Sequence, residues 1–308
     1  MILCCGEALI DMIPKPTLNG VDGFVAHTGG AVFNTSVALG RLGMDSGLLT
    51  GLSTDLFGAQ LQRALADSNV DTAHAIVSDR PTTLAFVKLQ DGQAKYDFYD
   101  ENSAGRMIAP ENLPQLPDTV NALFFGGISL ASMPCAQTYE TLLTSQGDGR
   151  VVMIDPNIRE NFITDETAYR ARLKRMIAMA DIVKISDEDL GWLIVGARSY
   201  EEKATELLSS GPQLVILTKG SEGACGFLRG GAQVSVPAQK VEVADTVGAG
   251  DTFNAGVLAS LAQSGALNKQ AIASLSKDTL EKALALGARV AGIVVSRAGA
   301  NPPWHSEL

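Results

Sequence analysis

The run Asp245-Thr246-Val247-Gly248-Ala249-Gly250-Asp251-Thr252-Phe253 has the residue types and spacing for phosphate chemistry. Two glycines flank a single alanine immediately before a helical pattern, so no large side chain covers the backbone there. The N–H groups of a helix's first turn lack intrahelical partners and carry partial positive charge. A phosphate can approach them closely where the side chains are this small. Gly248, Ala249 and Gly250 then form an anion hole from main chain alone, with Asp251 at its edge, placed to take a proton from an attacking hydroxyl. Phosphoryl transfer asks a protein mainly to position groups and to stabilise charge on the moving oxygens, so one carboxylate beside one cradle is a sufficient constellation. The plainer reading of a Gly-x-Gly-Asp is a tight turn whose acid complements a helix dipole. Other signatures are absent. There is no Gly-x-x-x-x-Gly-Lys-[Ser/Thr], the Gly248/Gly250/Gly256 spacing does not make Gly-x-Gly-x-x-Gly, and there is no Gly-x-Ser-x-Gly elbow.

The longer string Asp-Thr-Val-Gly-Ala-Gly-Asp-Thr-Phe-Asn-Ala-Gly, from Asp245 to Gly256, resembles the C-terminal signature of the ribokinase/PfkB carbohydrate kinases, and the resemblance extends over nearly the whole chain. It implies transfer of the ATP γ-phosphoryl group to a sugar hydroxyl, with Asp251 as base and Mg²⁺ as cofactor. Gly6-Glu7-Ala8-Leu9-Ile10-Asp11 ends a strand, and an Asp there faces the crevice where open α/β sheets bind ligands, so Asp11 is expected to accept hydrogen bonds from sugar hydroxyls. Gly29-Gly30-Ala31-Val32-Phe33-Asn34 matches the family's N-terminal Gly-Gly motif. It lets a sugar lie on bare backbone, with Asn34 supplying an amide. Asp155-Pro156-Asn157-Ile158-Arg159 follows a strand and in relatives lies near the transferring phosphate, where Arg159 can neutralise phosphate charge or bind an acidic sugar, and Asn157 organises the turn. Lys184-Ile185-Ser186-Asp187-Glu188-Asp189 stands where the family carries Asn-x-x-Glu. Here the pattern is Ser-x-x-Asp, and Asp189 is expected to order water around Mg²⁺. Thr218-Lys219-Gly220-Ser221-Glu222-Gly223 resembles the family's Thr-x-Gly-x-x-Gly nucleotide loop, assigning Thr218, Gly220 and Gly223 to ATP beside Asn157, Lys184 and Ser186. The family often binds a monovalent cation such as K⁺ beside the anion hole, and the resemblance implies Asp245 as a contact for one, although the run from Ser296 to Pro303 has proline where some relatives carry a serine ligand.

For the sugar itself, Phe98 and Arg106, within and just after an aromatic arm, are expected to close over the substrate. The combined motifs look most like those of bacterial fructokinases, giving D-fructose to D-fructose 6-phosphate. A 2-keto-3-deoxygluconate kinase shares most of them and is the alternative, and a catalytically silent sugar-binding sensor on the same fold is a third reading. Ribokinase and nucleoside kinase fit less well.

These residues need a scaffold, and the rest of the chain describes one. Short, continuous apolar runs at 2–5, 46–49, 122–125, 151–154, 181–185 and 214–217 read as strands covered on both faces. Helical patterns at 32–41, 59–68, 136–145, 166–179 and 201–209 lie between them, and 252–263 and 278–296 follow. This alternation predicts a doubly wound, mostly parallel sheet flanked by helices, a ribokinase-like α/β fold in which residues 1–308 make one kinase domain. Segments 83–89 and 94–100, joined by Gln90-Asp91-Gly92-Gln93, read as a hairpin, and 23–28 as a further extended piece. Together they predict a small β-sheet lid drawn from about 12–28 and 82–105. Lid strands with open edges make a homodimer through the lid a further expectation.

Composition bounds the rest. With 308 residues, 46% hydrophobic and 19% charged, the chain can bury a core, and its net charge of −10 gives no footprint for nucleic acid or an anionic membrane. Cys4, Cys5, Cys135 and Cys225 show no CxxC spacing and read as buried thiols; the three histidines are too scattered for a zinc site. Met1 to Ile10 lacks a basic leader and reads as a strand, and no stretch approaches a membrane span. The chain is expected to be soluble and cytoplasmic.

Overall fold

The computed structural model describes residues 1–90 and 93–308, so Asp91-Gly92 at the tip of the expected hairpin lies outside the described residues. Along the chain run β1 (Ile2–Cys5), β2 (Leu9–Pro16), β3 (Asp22–Gly29), α1 (Ala31–Arg41), β4 (Ser46–Leu49), β5 (Gly51–Ser53), α2 (Leu56–Asp67), β6 (Val70–Asp71), β7 (Ile76–Ser78), β8 (Leu84–Gln90) and β9 (Gln93–Tyr99). Then follow β10 (Ala122–Gly126), α3 (Cys135–Gln146), β11 (Val151–Asp155), α4 (Glu166–Met179), β12 (Ile182–Ser186), α5 (Asp187–Leu193), α6 (Tyr200–Ser209), β13 (Leu214–Thr218), β14 (Ala224–Leu228), β15 (Gln233–Val236), α7 (Ala249–Gln263), α8 (Lys269–Ala273) and α9 (Lys277–Val295).

Nine strands form one sheet in the order β15-β14-β13-β12-β11-β10-β1-β4-β6. The pairs from β13 to β6 are parallel, and β14 and β15 add an antiparallel edge. Alternation of side chains across a strand divides the core in two. Ile2, Cys4, Ala122, Phe124, Val151 and Met153 pack under α1, α7 and α9. Leu3, Cys5, Leu123, Phe125, Val152 and Ile154 pack under α3, α4 and α6. Both faces are thus covered, which is why these strands read as unbroken apolar runs. Where α7 crosses α9, a Cβ on Gly256 would stand 2.7 Å from the Gly287 Cα; only a hydrogen at both positions permits this approach. All four cysteines are buried and free. Among the described residues no helix is long and apolar enough to cross a membrane.

A second sheet has the order β3-β2-β8-β9. Its β8–β9 hairpin and β3 correspond to the extended pieces read from sequence. Strand β2 runs to Pro16 although it contains Pro14 and Pro16. Its pairing with β8 stops at Met12↔Phe86, so neither proline faces that ladder, and proline is tolerated where no N–H is needed. Strands β14 and β15 were not legible, being short and without strong β-branched runs. One face of the small sheet carries Leu9, Ala85, Tyr96 and Phe98, packed with Ile128 and Phe162. The other carries Phe24, Phe86 and Tyr99 in edge-to-face contact, with centroid separations of 5.0 and 5.4 Å.

Candidate active site

The parallel strands deliver their functional residues to one edge. Register places Gly126 beside Asp155 and Ser186 beside Thr218, all at carboxyl ends, where open α/β sheets present ligand sites. A cleft of about 820 Å³ opens there between the large sheet and the small one, lined by Asp11, Gly30, Asn34, Tyr96, Phe98, Asn157, Arg159, Lys184 and the stretch from Thr246 to Asp251, among others. Residues from both ends of the chain and from its middle therefore converge on one space.

Gly248 caps α7 with φ 78°, a left-handed conformation natural to glycine. Ala249 N–H reaches back to the Thr246 carbonyl at 3.3 Å. Among the described residues, nothing accepts a hydrogen bond from the N–H groups of Gly248, Gly250 or Asp251. These three amides are therefore free to meet an anion, whereas Ala249 is turned into the loop. Asp251 is buried and belongs to the first turn of α7. Asn34 Nδ2 donates to its Oδ2 at 2.9 Å, and Thr35 Oγ1 donates to its backbone carbonyl at 3.1 Å. Burial pushes its carboxyl up to about 7; the Asn34 hydrogen bond opposes this, Asp155 adds to it, and Lys184 and Arg159 oppose it.

Beneath the hole lies a buried polar cluster. Lys184 Nζ donates to Asp155 Oδ2 at 2.9 Å, and Asn254 Nδ2 donates to the same oxygen at 2.7 Å. A Cβ on Gly250 would be 3.1 Å from Lys184 Nζ, so the ammonium stands against the anion hole. Burial disfavours the Lys184 charge, but Asp155 outweighs it and its pKa is raised. Asp155 Oδ1 and Asn254 Oδ1 find no protein partner among the described residues.

On the other wall, Gly30 starts α1 with φ 106°. A Cβ on Gly29 would fall 2.0 Å from Asp11 Oδ2, so glycine there gives the carboxylate its room. Burial pushes Asp11 up to about 7, against the nearby Arg159. Glu7 is buried under the start of α1, its Oε1 accepting from Ala31 N–H and its Oε2 from Ser129 Oγ at 2.9 Å. It ties α1 to the segment after β10. Tyr96 stacks on Phe98 at 5.8 Å, and Phe98 meets Phe162 edge-on at 4.9 Å, forming an aromatic wall from the small sheet.

Arg159 is exposed at the cleft, its Nη1 resting on the Ile158 carbonyl at 3.0 Å, and Asn157 makes the preceding turn with φ 44°. Ser186 caps α5, accepting from Asp189 N–H, while Asp189 Oδ2 accepts from Ile158 N–H at 3.2 Å. Burial, then Asp155, pushes Asp189 up to about 6. Asp189 thus fastens the Asn157–Arg159 turn, and its neighbour Glu188 faces the cleft. Thr218, Gly220 and Gly223 stand one strand farther out, past Ser186 and outside the cleft lining; Gly220 is exposed, while Gly223 is buried with its Cα close against the Val236 carbonyl. Asp245 bridges two loops, accepting from Val247 N–H on Oδ1 at 3.0 Å and from Gly299 N–H on Oδ2 at 2.9 Å. Arg106 is not part of the cleft wall. Its guanidinium is held by Asp100 at 2.9 Å and by the Met133 carbonyl at 3.1 Å.

Reading by motif passed over Glu7, Tyr96, Asp155, Phe162, Glu188 and Asn254. Asp155 could have been found by the argument applied to Asp11, a carboxylate ending a buried strand. Asn254 follows Asp251 by three residues, on the same helix face. Phe162 has no signal in the sequence, because only the fold brings it to Phe98.

Comparison with known proteins agrees with this architecture. Residues 1–307 match the profile of the pfkB family carbohydrate kinases. The chain is 51% identical over 280 residues to a fructokinase of Rhizobium leguminosarum bv. trifolii, covering 91% of this chain and 85% of that one. Among solved structures, the fructokinase of Xylella fastidiosa with bound ATP superposes with a TM-score of 0.87 at 28% identity, covering 97% of this chain and 93% of that one. A double-mutant fructokinase of Vibrio cholerae O395, in fructose, ADP and potassium ion bound form, gives 0.82 at 25% identity, with 97% and 93% covered. The expected ribokinase-like fold, a large mostly parallel sheet with a smaller separate one, is thus the fold of these neighbours. With its motifs spread over the whole chain, free amides at the start of α7 and a profile match over residues 1–307, the chain belongs to the pfkB family of carbohydrate kinases.

Proposed function

We propose that the protein is a fructokinase, transferring the γ-phosphoryl group of ATP to the 6-hydroxyl of D-fructose. The carrying observation is Asp251, a buried carboxylate that lines the cleft beside three uncommitted main-chain amides. The sugar oxygen attacks the γ-phosphorus, the bond from that phosphorus to the ADP oxygen breaks, and the hydroxyl proton passes to Asp251. The amides of Gly248, Gly250 and Asp251, with Lys184 behind Gly250, stabilise charge on the transferred group. Asp11, Gly29, Gly30 and Asn34 hold the sugar against the wall of Tyr96 and Phe98, and closure of the small sheet as a lid excludes water. Asn157, Lys184, Ser186, Thr218, Gly220 and Gly223 form the track for ATP.

Glu188 and Asp189 offer hard oxygen donors beside this track, a set that suits a hydrated Mg²⁺. Bound there with ATP, Mg²⁺ neutralises phosphate charge. Asp245 keeps a lone pair on each carboxylate oxygen, which would suit K⁺ there, and a relative from Vibrio cholerae is known in a potassium ion bound form.

The cleft charges support a neutral sugar over 2-keto-3-deoxygluconate. Its two lining cations are Lys184, already paired with Asp155, and Arg159, which forms no ion pair among the described residues. A nucleotide phosphate claims Arg159, leaving no cation for a sugar carboxylate. The intact hole and base likewise speak against a silent sensor. ADP release measured over fructose, 2-keto-3-deoxygluconate, ribose, tagatose and adenosine tests the reading; a higher kcat/KM for any sugar but fructose refutes it.

A homodimer through the lid follows from the second apolar face of the small sheet. Phe24 and Tyr99 are 50% and 58% exposed around Phe86, which a second copy would cover. Sedimentation of wild type and Phe86→Asp checks this: a wild-type monomer at micromolar concentration refutes it.

A further inference from the structure

Family resemblance gives Asn34 to the sugar, but the fold gives it a second task. Asn34 and Thr35, consecutive on α1, grip Asp251 at both of its ends, although 217 and 216 residues separate them in sequence. The amide bond is 2.9 Å long, and both partners are buried, Asn34 at 6% and Asp251 at 7% exposure. An amide nitrogen, not an amide oxygen, must face an ionised carboxylate, because two acceptors would repel. Resting on the kinase reading, we infer that Asn34 is a positioning residue for Asp251, its amide occupying Oδ2 so that Oδ1 is the oxygen presented to the acceptor hydroxyl.

Two consequences follow. The carboxylate plane is fixed before substrate arrives, which is the near-attack geometry that proton transfer needs. The bond also favours the anion over the acid, opposing the burial that raises Asp251. The other charged or titratable groups acting around it are Asp155 at the end of β11, Lys184 on β12, Arg159 on the following loop and Tyr96 on β9. Asn34 is the one neutral donor among them, so it stabilises the base without adding a charge that would compete for phosphate. Nδ2 retains a second hydrogen, and Oδ1 of the amide remains for the sugar.

The test separates positioning from sugar binding. Asn34→Ser and Asn34→Asp are compared with Thr35→Val, which releases the backbone grip but leaves the carboxylate bond. Positioning by Asn34 predicts that the acid limb of kcat at saturating fructose moves up by about one pH unit in Asn34→Ser, and further in Asn34→Asp, where two carboxylates share the space. Thr35→Val leaves that limb in place. If both Asn34 variants raise only KM for fructose, with the limb of kcat unmoved, the inference is wrong. An equal shift in Thr35→Val also overturns it, since the effect would then be general loosening of α1. A parallel readout needs no turnover: aspartate labelled with ¹³C at Cγ, with Asp251→Asn identifying the resonance, reports the Asp251 titration directly. The titration midpoint should rise in the Asn34 variants even if fructose is not the substrate, so failure of the fructokinase reading and failure of this one are distinguishable.

Discussion

Replacing Asp251 by Asn should stabilise the protein while removing its activity, and the two effects have the same source. Burial raises the Asp251 carboxyl from 3.8 to about 7. At about 1.4 kcal/mol per unit, holding this group ionised in the folded protein costs about 4 kcal/mol above pH 7. Sign follows from the direction of the shift. Because the folded pKa lies above the unfolded one, stability is full below about pH 4 and is lost as pH rises toward 7. Asn does not titrate, has nearly the same shape, and can accept the Asn34 hydrogen bond through its own carbonyl oxygen. The other raised carboxyls, Asp11, Asp189 and Glu7, remain in both proteins and largely cancel in the comparison. Urea denaturation of both proteins at two pH values measures the effect: the advantage of Asp251→Asn should grow by about 2 kcal/mol between about pH 5.5 and 8. Turnover should fall by about 10² to 10⁴-fold, with fructose binding still measurable by calorimetry. Parallel pH dependences of the two stabilities would refute the claim that Asp251 is held ionised at a cost, and near-normal turnover would refute its role as base.

Because the base works ionised, log kcat/KM for fructose should rise with unit slope as pH increases and level off near pH 7, the value to which burial brings Asp251 in the unliganded protein; a profile flat down to about pH 5 contradicts this. Lys184→Met leaves Asp155 buried without its cation, so it should destabilise by about 3–5 kcal/mol; adding Asp155→Asn should recover stability in urea melts but not turnover. Arg159→Ala should lower kcat/KM for ATP by about 10 to 100-fold, the worth of a charge-assisted contact, with melting temperature unchanged. Gly29→Ala puts a Cβ 2.0 Å from Asp11 Oδ2 and should displace that carboxylate, raising KM for fructose more than it lowers kcat in initial-rate assays.

The parallel strands from β4 to β13 in the large sheet were legible because they are covered on both faces and so appear as apolar runs, whereas the two-residue edge strand β6, with Asp71 exposed, left no such signal. Strand β2 was less legible: its prolines argue against a strand unless one knows that its ladder to β8 ends at Met12. Contiguous motifs marked the anion hole, Asp11 and the Gly29-Gly30 turn, since there the chemistry lies within a few residues. What sequence could not give were partnerships across distance. Asn34 appeared as a sugar ligand, and nothing in its motif points to an aspartate 217 residues away. Lys184 appeared as an ATP contact alone, and nothing in its motif points to its ion pair with Asp155. Arg106 followed an aromatic arm and invited a role over the sugar, but Asp100, six residues before it, takes its charge. A titratable residue's role depends on the partner that reaches it first, and only the fold decides that.

The arrangement also explains how a strongly acidic cleft accepts a polyanion. Glu7, Asp11, Glu160, Glu188 and Asp251 line it, against Lys184 and Arg159. Side-chain charge alone would repel ATP. Glu7 is withdrawn into the start of α1 by its hydrogen bonds, and burial drives Asp11 and Asp251 toward neutrality. The attraction that remains is local: free amides at the start of α7, the Lys184 ammonium behind Gly250, and Arg159 at the rim. These act over a few ångströms in a site of low dielectric, where they are worth most, while the outlying acids act through water and salt. A phosphate seated on the amides in turn favours protonation of Asp251, the direction the proton must move when the sugar hydroxyl reacts. On the proposed kinase reading, Asp251 and the free amides share one turn of one helix for an electrostatic reason, because the charge that builds on the phosphoryl oxygens helps to draw the proton onto the carboxylate beside them.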